Sequence, residues 1–193
     1  MTTRHADHPI LPHFLDRWSP RAFDPRPIED DTLMTLFEAA RWSPSSFNYQ
    51  PWRFVYAKRD DAHWDAFLSA LIPFNQEWAK NSSTLVYIVS DTIMEAYGER
   101  KPSHSHSFDA GAAWMALALQ AHNMGLITHG MTGVDFEAAA KAVNLPEGFR
   151  VEAAIAIGYH GNKAALPEQM QEREIKSDRK PLAEIVFSGP IPA

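Results

Sequence analysis

The stretch FDAGAAWMALALQAHNM, residues 108–124, is the longest helix candidate in the chain. Apolar residues occupy nearly every side of this helix, whereas a surface helix of a globular domain has one apolar stripe. Gly125 follows directly, at the position where a left-handed residue ends many helices. We therefore expect the helix to lie in the middle of the structure or in a subunit interface.

Apolar patterns on both sides of this helix predict a mixed order of helices and strands, without internal repeats. Residues 85–89 form a continuous run of β-branched, aromatic and apolar residues, typical of a strand that is buried on both faces. The predicted strands are residues 52–57, 85–89 and 151–159. The other predicted helices are residues 28–41, residues 61–71 with Pro73 ending the helix, and a helix that is capped by Asp135 and runs to Val143.

Two segments lack such patterns. YGERKPSHSHS, residues 97–107, is polar and has no core-facing period, so we expect a loop that could act as a mobile lid. From residue 162 to the C-terminus the chain is rich in charge and proline, with little that could form a core. We expect an arm that packs on the surface of a partner subunit rather than a second domain.

The composition fits a single domain over residues 1–193, with 45% hydrophobic and 22% charged residues. A net charge of −6 argues against a nucleic-acid or anionic-membrane surface, which requires a basic field. Because the chain has no cysteine, thiolate nucleophiles, disulfides and iron–sulfur clusters are excluded. No apolar stretch reaches the ~18 residues that cross a bilayer, and the first residues lack the apolar region of a secretory signal. We expect a cytoplasmic protein.

Two polar clusters carry residue types that suit a phosphate or an electron-poor heterocycle. RWSPRAF, residues 17–23, places two guanidiniums four positions apart with a hydroxyl between them, and each guanidinium offers several fixed donors. SPSSFNYQPW, residues 43–52, concentrates donors and acceptors between two prolines at a boundary between a helix and a strand. Taken alone, each cluster is better explained as a turn that is solvated or satisfies its own backbone.

Together with three later motifs, the two clusters resemble the FMN-dependent nitroreductase family. The later motifs are PFNQEWAK (residues 73–80), GLITHGMTGVD (residues 125–135) and VEAAIAIGYHG (residues 151–161), so the resemblance covers nearly the whole chain. It implies an α+β, three-layer fold in which helices flank a central, mainly antiparallel sheet, and it implies an entwined homodimer. It also implies FMN at the dimer interface, with NADH or NADPH as the electron donor. The implied acceptors are nitroaromatics, quinones or activated alkenes and aldehydes.

The resemblance also implies which residues bind FMN. Four residues match the segment that holds the phosphate, the ribityl chain and the pyrimidine edge: Arg17, Trp18, Ser19 and Arg21. Four match the loop that reaches the flavin from the partner subunit: Pro44, Ser45, Ser46 and Asn48. The remaining matches are Asn75 near the ring, Met131, Thr132 and Gly133 with backbone N–H groups at flavin N5 and O4, and Lys176 and Arg179 at the phosphate. Trp78 stands where some members have a lysine, which puts one cationic contact in doubt.

The flavin would carry the chemistry, so we predict no catalytic side chain. Hydride donor and acceptor would use the same exposed ring face, which favours a ping-pong cycle, and Phe47 is the candidate for lining the acceptor pocket. The histidines at 5, 8, 13, 104 and 106 lack the spacing of a zinc motif, so we predict no metal site. The alternative function is a flavin-binding storage or sensor protein without turnover, which NAD(P)H would not reduce.

Overall fold

The computed structural model describes residues 4–96 and 98–192. Its helices are α1 (Pro12–Asp16), α2 (Asp30–Arg41), α3 (Trp64–Ser69), α4 (Pro73–Ala79), α5 (His106–Asn123), α6 (Phe136–Ala142) and α7 (Glu168–Gln171). Its strands are β1 (Phe23–Asp24), β2 (Trp52–Lys58), β3 (Thr84–Asp91), β4 (Ile93–Ala96), β5 (Glu99–Pro102), β6 (Ile127–Met131) and β7 (Phe149–His160). The fold is therefore α+β, as predicted.

Five of the strands form one antiparallel sheet in the order β1–β7–β3–β2, and β6 also pairs with β7. The long β7 pairs with β3 along one edge. Along its other edge it pairs first with β6 and then, at Tyr159 and His160, with β1. This arrangement brings the end of β1 close to β6, and the candidate site lies in that region.

Helices cover both faces of this sheet. Leu85 and Tyr87 of β3 point into one apolar cluster, which contains Phe67 of α3 and Trp78 of α4. The alternate residues Val86 and Ile88 point into a second cluster with the buried sides of α2 and α5. Because successive strand residues face opposite sides of a sheet, β3 is buried on both faces. The predicted three-layer arrangement is confirmed.

The long central helix is confirmed as α5, two residues earlier than predicted at its start and one earlier at its end. Ala113 and Leu117 are fully buried against α2 and the sheet, whereas Phe108 is 81% exposed. Gly125 has a φ of +75°, as expected for the left-handed residue after a helix. The predicted helix capped by Asp135 is also confirmed, since that carboxylate accepts hydrogen bonds from two amides of the first turn.

The prediction of a loop over residues 97–107 is wrong. Glu99–Pro102 is β5, which pairs with β4 in a separate hairpin, and His106 and Ser107 already belong to α5. Tyr97 lies outside the described residues. The four residues of β5 are all exposed, so neither face of the strand needs apolar side chains. Its sequence therefore lacks the alternation of apolar and polar residues that would predict a strand.

The second predicted helix, residues 61–71, is shorter than expected at Trp64–Ser69. Asp61 instead closes a turn, because its carboxylate accepts the amide of Lys58. Pro73 follows the helix and also occupies the first position of α4, where its missing N–H is harmless.

The C-terminal arm, residues 162–192, has no core of its own. Leu166 and Met170 are buried in the same cluster as Trp78, while residues 181–192 are exposed along their whole length. No helix in the described part of the chain is both long and apolar enough to cross a membrane.

Candidate functional site

The segment 17–21, which links α1 to β1, lines a cavity of about 310 Å³. Four of its residues contribute, and the rest of the lining comes from the N-terminus, β6 and the arm. The arginines of this cavity are Arg4, Arg17, Arg21, Arg173 and Arg179, and its other lining residues are Trp18, Ser19, His129, Ile175 and Ser177. No lining residue among those described is acidic. We call this space the arginine cavity.

Two of these arginines are partly buried, and each has a buried donor that is unused. The Nε atoms of Arg17 and Arg21 have no hydrogen-bond partner within the described part of the chain. Burial lowers the pKa of Arg17, and the positive charges of Arg4 and Arg179 lower it further. A buried donor without a partner and a concentration of like charge both favour a bound anion, and guanidiniums match the geometry of a phosphate.

A second cavity, of about 350 Å³, joins the segment 17–21 to the end of β6. Arg17 and Ser19 line it together with Met131 and Thr132. Its remaining lining residues are Trp114, Met115, Ala118, Gly130 and Ala153. The structure thus brings together two groups of predicted cofactor contacts that lie more than a hundred positions apart in the chain.

Asn75 fixes the backbone next to this second cavity. Its Nδ2 donates to the carbonyl oxygen of Gly133 at 3.0 Å, and the amide of Ile72 donates to the same oxygen at 3.1 Å. A Cβ atom at position 133 would lie 2.5 Å from that Nδ2, so a side chain there would displace the Asn75 amide. Thr132 and Gly133 follow the last residue of β6, and their amides therefore lie past the end of its ladder with β7.

His129 and Trp78 support the site from the core side. The Nδ1 atom of His129 lies 3.0 Å from the carbonyl oxygen of Pro20, which can only accept, so Nδ1 carries the proton. Burial lowers the pKa of this histidine to about 4, and the ring is therefore neutral at neutral pH. Trp78 packs against the His129 ring, stacks on Phe23 and is fully buried. The position at which some relatives have a lysine is thus a core position in this chain.

The two late basic residues lie beside the segment 17–21. Arg179 lines the arginine cavity. Lys176 lines a neighbouring cavity of about 430 Å³ that also includes Arg17 and Trp18, and its Nζ is 3.7 Å from Asp16. Sequence reasoning missed Arg4 and Arg173. Arg173 belongs to the same basic stretch as Lys176 and could have been found, whereas no local pattern distinguishes Arg4.

The second cluster lies elsewhere. Ser46, Phe47 and Asn48 form a short 3₁₀ turn, and the amide of Ser46 donates to Asp109 at the start of α5. Neither these residues nor Pro44 and Ser45 are among the described residues that line the three cavities bordered by Arg17. Those cavities contact α5 between Trp114 and His122, which lie about 8 to 20 Å further along the helix axis than Asp109. One chain therefore does not bring the two clusters together.

Backbone strain is concentrated in this cluster. Phe47, Asn48 and Gln50 all have φ near +53°, in the left-handed region that residues with a Cβ rarely adopt. The hydroxyl of Ser45 accepts the amide of Gln50 and so holds the turn. The Phe47 side chain is 70% exposed.

Comparison with known proteins identifies the kind of site. The model of the nitroreductase family matches residues 15–159. A crystal structure described as an oxidoreductase containing FMN is 47% identical, with 98% of this chain and 96% of that chain covered and a TM-score of 0.95. An uncharacterized 15.4 kDa protein of Mycolicibacterium smegmatis is 32% identical, covering 71% of this chain and 95% of the relative. The major NAD(P)H-flavin oxidoreductase of Aliivibrio fischeri is 23% identical, covering 93% of this chain and 98% of the relative.

Proposed function

The chain belongs to the nitroreductase family, and from this premise we propose that it is a homodimeric, NAD(P)H-dependent FMN oxidoreductase. Its acceptors in this proposal are nitroaromatics, quinones or activated alkenes and aldehydes, reduced in a ping-pong cycle. The observation that carries the proposal is the arginine cavity, which lies directly beside a second cavity at the end of β6. The first suits a phosphate and the second a planar ring.

The residues present fit FMN. The unpartnered Nε atoms of Arg17 and Arg21 offer donors to a phosphate or to a ring edge. Ser19 borders both cavities, so its hydroxyl can contact the chain between phosphate and ring. Trp18, Lys176 and Arg179 complete the predicted contacts on the phosphate side. Met131, Thr132 and Gly133 would contact the ring edge, with Asn75 holding Gly133 in place.

When bound, FMN accepts and donates hydride at its N5 atom. The amides beyond the end of β6 would orient the ring by donating to it. The guanidinium of Arg17, which lines both cavities, would stabilise the negative charge that the pyrimidine edge gains on reduction, and this effect is large where water is excluded. Because a single ring face would serve donor and acceptor in turn, the oxidised nucleotide NAD(P)+ would have to leave before the acceptor binds, which gives a ping-pong cycle.

A homodimer is proposed because several apolar surfaces of the single chain lack a partner. On α5, Phe108, Gly111, Met115 and Leu119 recur at helical spacing and none of them is buried. The end of the arm exposes further apolar residues: Leu182, Ile185, Val186, Phe187 and Ile191. A second copy would cover both surfaces. It would also let Pro44, Ser45, Ser46 and Asn48 reach the FMN of the partner, with Phe47 at the acceptor pocket.

A visible spectrum of the purified protein tests this proposal. We expect a yellow protein that releases FMN on denaturation, and we expect NADH or NADPH to bleach the bound flavin. A colourless protein that binds no added FMN would refute the assignment. A normal flavin spectrum that neither nucleotide can bleach would instead favour storage or sensing without turnover. Light scattering of the same sample tests the dimer.

A further inference from the structure

Two stretches of chain supply most of the lining of the arginine cavity. One is the segment 17–21, and the other is residues 173–179 of the arm, which we call the arm segment. Buried apolar side chains anchor the arm only as far as Met170. Beyond it, Ile175 and all residues from 181 to 192 are exposed. The arm segment must therefore be held by polar contacts.

Glu174 makes the strongest of these contacts. Its carboxylate accepts the amide of Arg21 at 2.8 and 3.0 Å and the amide of Ala22 at 2.9 Å, and the residue is only 6% exposed. Hydrogen bonds from backbone amides to an ionised carboxylate are stronger than those between neutral groups. This side chain thus holds the backbone from which the Arg21 side chain extends into the cavity.

Arg4 makes a second link from the other end of the chain. Its Nη1 donates to the carbonyls of Leu15 and Arg17 at 3.0 and 2.8 Å. Its Nε donates to the carbonyl of Ser177 at 2.8 Å. One guanidinium therefore holds the backbone of both stretches.

Like charges meet in this closed arrangement. Burial lowers the pKa of Arg17, and the charges of Arg4 and Arg179 lower it further. Burial and Arg179 also lower the pKa of Arg4, whereas Asp178 on the arm segment raises it. Arg179 on the arm segment therefore repels both Arg17 and Arg4, and only Arg4 gains a compensating carboxylate there. A bound phosphate would reverse the sign of that interaction, because each guanidinium would then face an anion. The closed arm segment and a bound phosphate should each favour the other, and such coupling is reciprocal.

We infer that Glu174 and Arg4 are positioning residues that couple closure of the arm segment to phosphate binding in the arginine cavity. The inference rests on the proposed function, since it takes the phosphate to be that of FMN. It predicts that FMN tightens the arm, and that riboflavin, which has the same ring without the phosphate, does not.

Hydrogen exchange and flavin titration of the full-length protein test this coupling. In the wild type, FMN should slow amide exchange in residues 174–180 about tenfold, as expected for coupling of ~1.4 kcal/mol, while riboflavin should leave it unchanged. Glu174→Gln keeps the size of the side chain, but it removes the negative charge and replaces one accepting oxygen with an NH₂ group. That group cannot accept a hydrogen bond from the backbone amides. This substitution should weaken FMN binding about tenfold, change riboflavin binding less than twofold, and abolish the protection by FMN. Glu172→Gln, an exposed change two residues earlier, is the matched control and should behave as wild type.

Arg4→Met provides a second variant near the N-terminus, in case the change at Glu174 impairs folding. It should lower the ratio of FMN to riboflavin affinity in the same way. A ratio that stays at the wild-type value in the folded variants, or FMN protection that persists in them, would overturn the inference. A wild type that binds neither flavin would instead overturn the proposed function.

Discussion

The segment 17–21 and the segment 44–50 are both polar connections between regular elements, but they are held in opposite ways. In the first, Arg4, Glu174 and His129 fix carbonyls and amides from outside the segment, and none of its five residues, all of them described, has a positive φ. In the second, three residues with side chains adopt left-handed backbone, at about 1–2 kcal/mol each. In the proposed site, one half, the segment 17–21, is held by contacts within a single chain, while the other half, the segment 44–50, has strained backbone and an exposed Phe47.

Lowering the pH should have the largest effect, a fall in the free energy of unfolding that arises at His129 beside the segment 17–21. The pKa of His129 is about 4 in the folded protein, against about 6.5 when unfolded. As pH falls through this window the unfolded state takes up the proton first, so the stability that is present above pH ~6.5 is lost towards pH ~4. The full loss approaches about 3 kcal/mol. Urea unfolding of the apoprotein at several pH values measures it.

His129→Gln should remove most of this dependence, whereas His104→Gln, at an exposed position, should keep it. If His129→Gln retains the full loss of stability between pH 6.5 and 4, then His129 is not the group responsible. The segment 17–21 would in that case owe its rigidity to Glu174 and Arg4 alone.

Removing a guanidinium from the first half should have the next largest effect. Arg17→Ala and Arg21→Ala should each weaken FMN binding about 10- to 100-fold, since a hydrogen bond to a charged group contributes ~1.5–3 kcal/mol. Arg100→Ala, at an exposed position in β5, is the control and should bind FMN as wild type does. Fluorescence titration measures the affinities. Wild-type FMN affinity in both cavity variants would mean that the segment 17–21 is only a basic turn.

Sequence reasoning named the residues of the segment 17–21 but not the contacts that hold them. The central helix and the buried strands followed from apolar patterning, because β3 is buried on both faces and α5 packs one side against α2 and the sheet. Glu174 could not be found in this way, since it binds amides 152 and 153 positions away and no local pattern records such a contact. The hairpin of β4 and β5 was missed for a different reason: pairing through the backbone leaves the exposed side chains of β5 free to be polar.

A mixed dimer sharpens the comparison between the two halves. Asn48→Ala should weaken FMN binding about tenfold, through loss of a polar contact and added strain at its left-handed backbone. If the segment 44–50 acts on the partner's site, a dimer of one Arg17→Ala chain and one Asn48→Ala chain has one site with both defects and one with none. Half of its sites should then bind FMN with wild-type affinity.

If both segments served the same chain's site, each site of the mixed dimer would carry one defect, and no site would have wild-type affinity. Titration of differently tagged, co-purified chains separates the two cases. A monomer that binds FMN with full affinity would also contradict the proposed role of the segment 44–50 at the partner's site.

The smallest expected effect concerns Phe47, whose exposed ring lies in the strained turn. If this ring borders the partner's acceptor pocket, Phe47→Ala should change kcat/KM several-fold more for a bulky nitroaromatic than for a small quinone, because pocket contacts discriminate by about 1–3 kcal/mol. FMN content should stay unchanged, since the ring is not among the predicted FMN contacts. Steady-state kinetics with both acceptors measures the difference, and Phe136→Ala, an exposed phenylalanine on α6, is the control. Equal effects on both acceptors, or loss of FMN, would assign Phe47 to packing between subunits and leave selection of the acceptor to other residues.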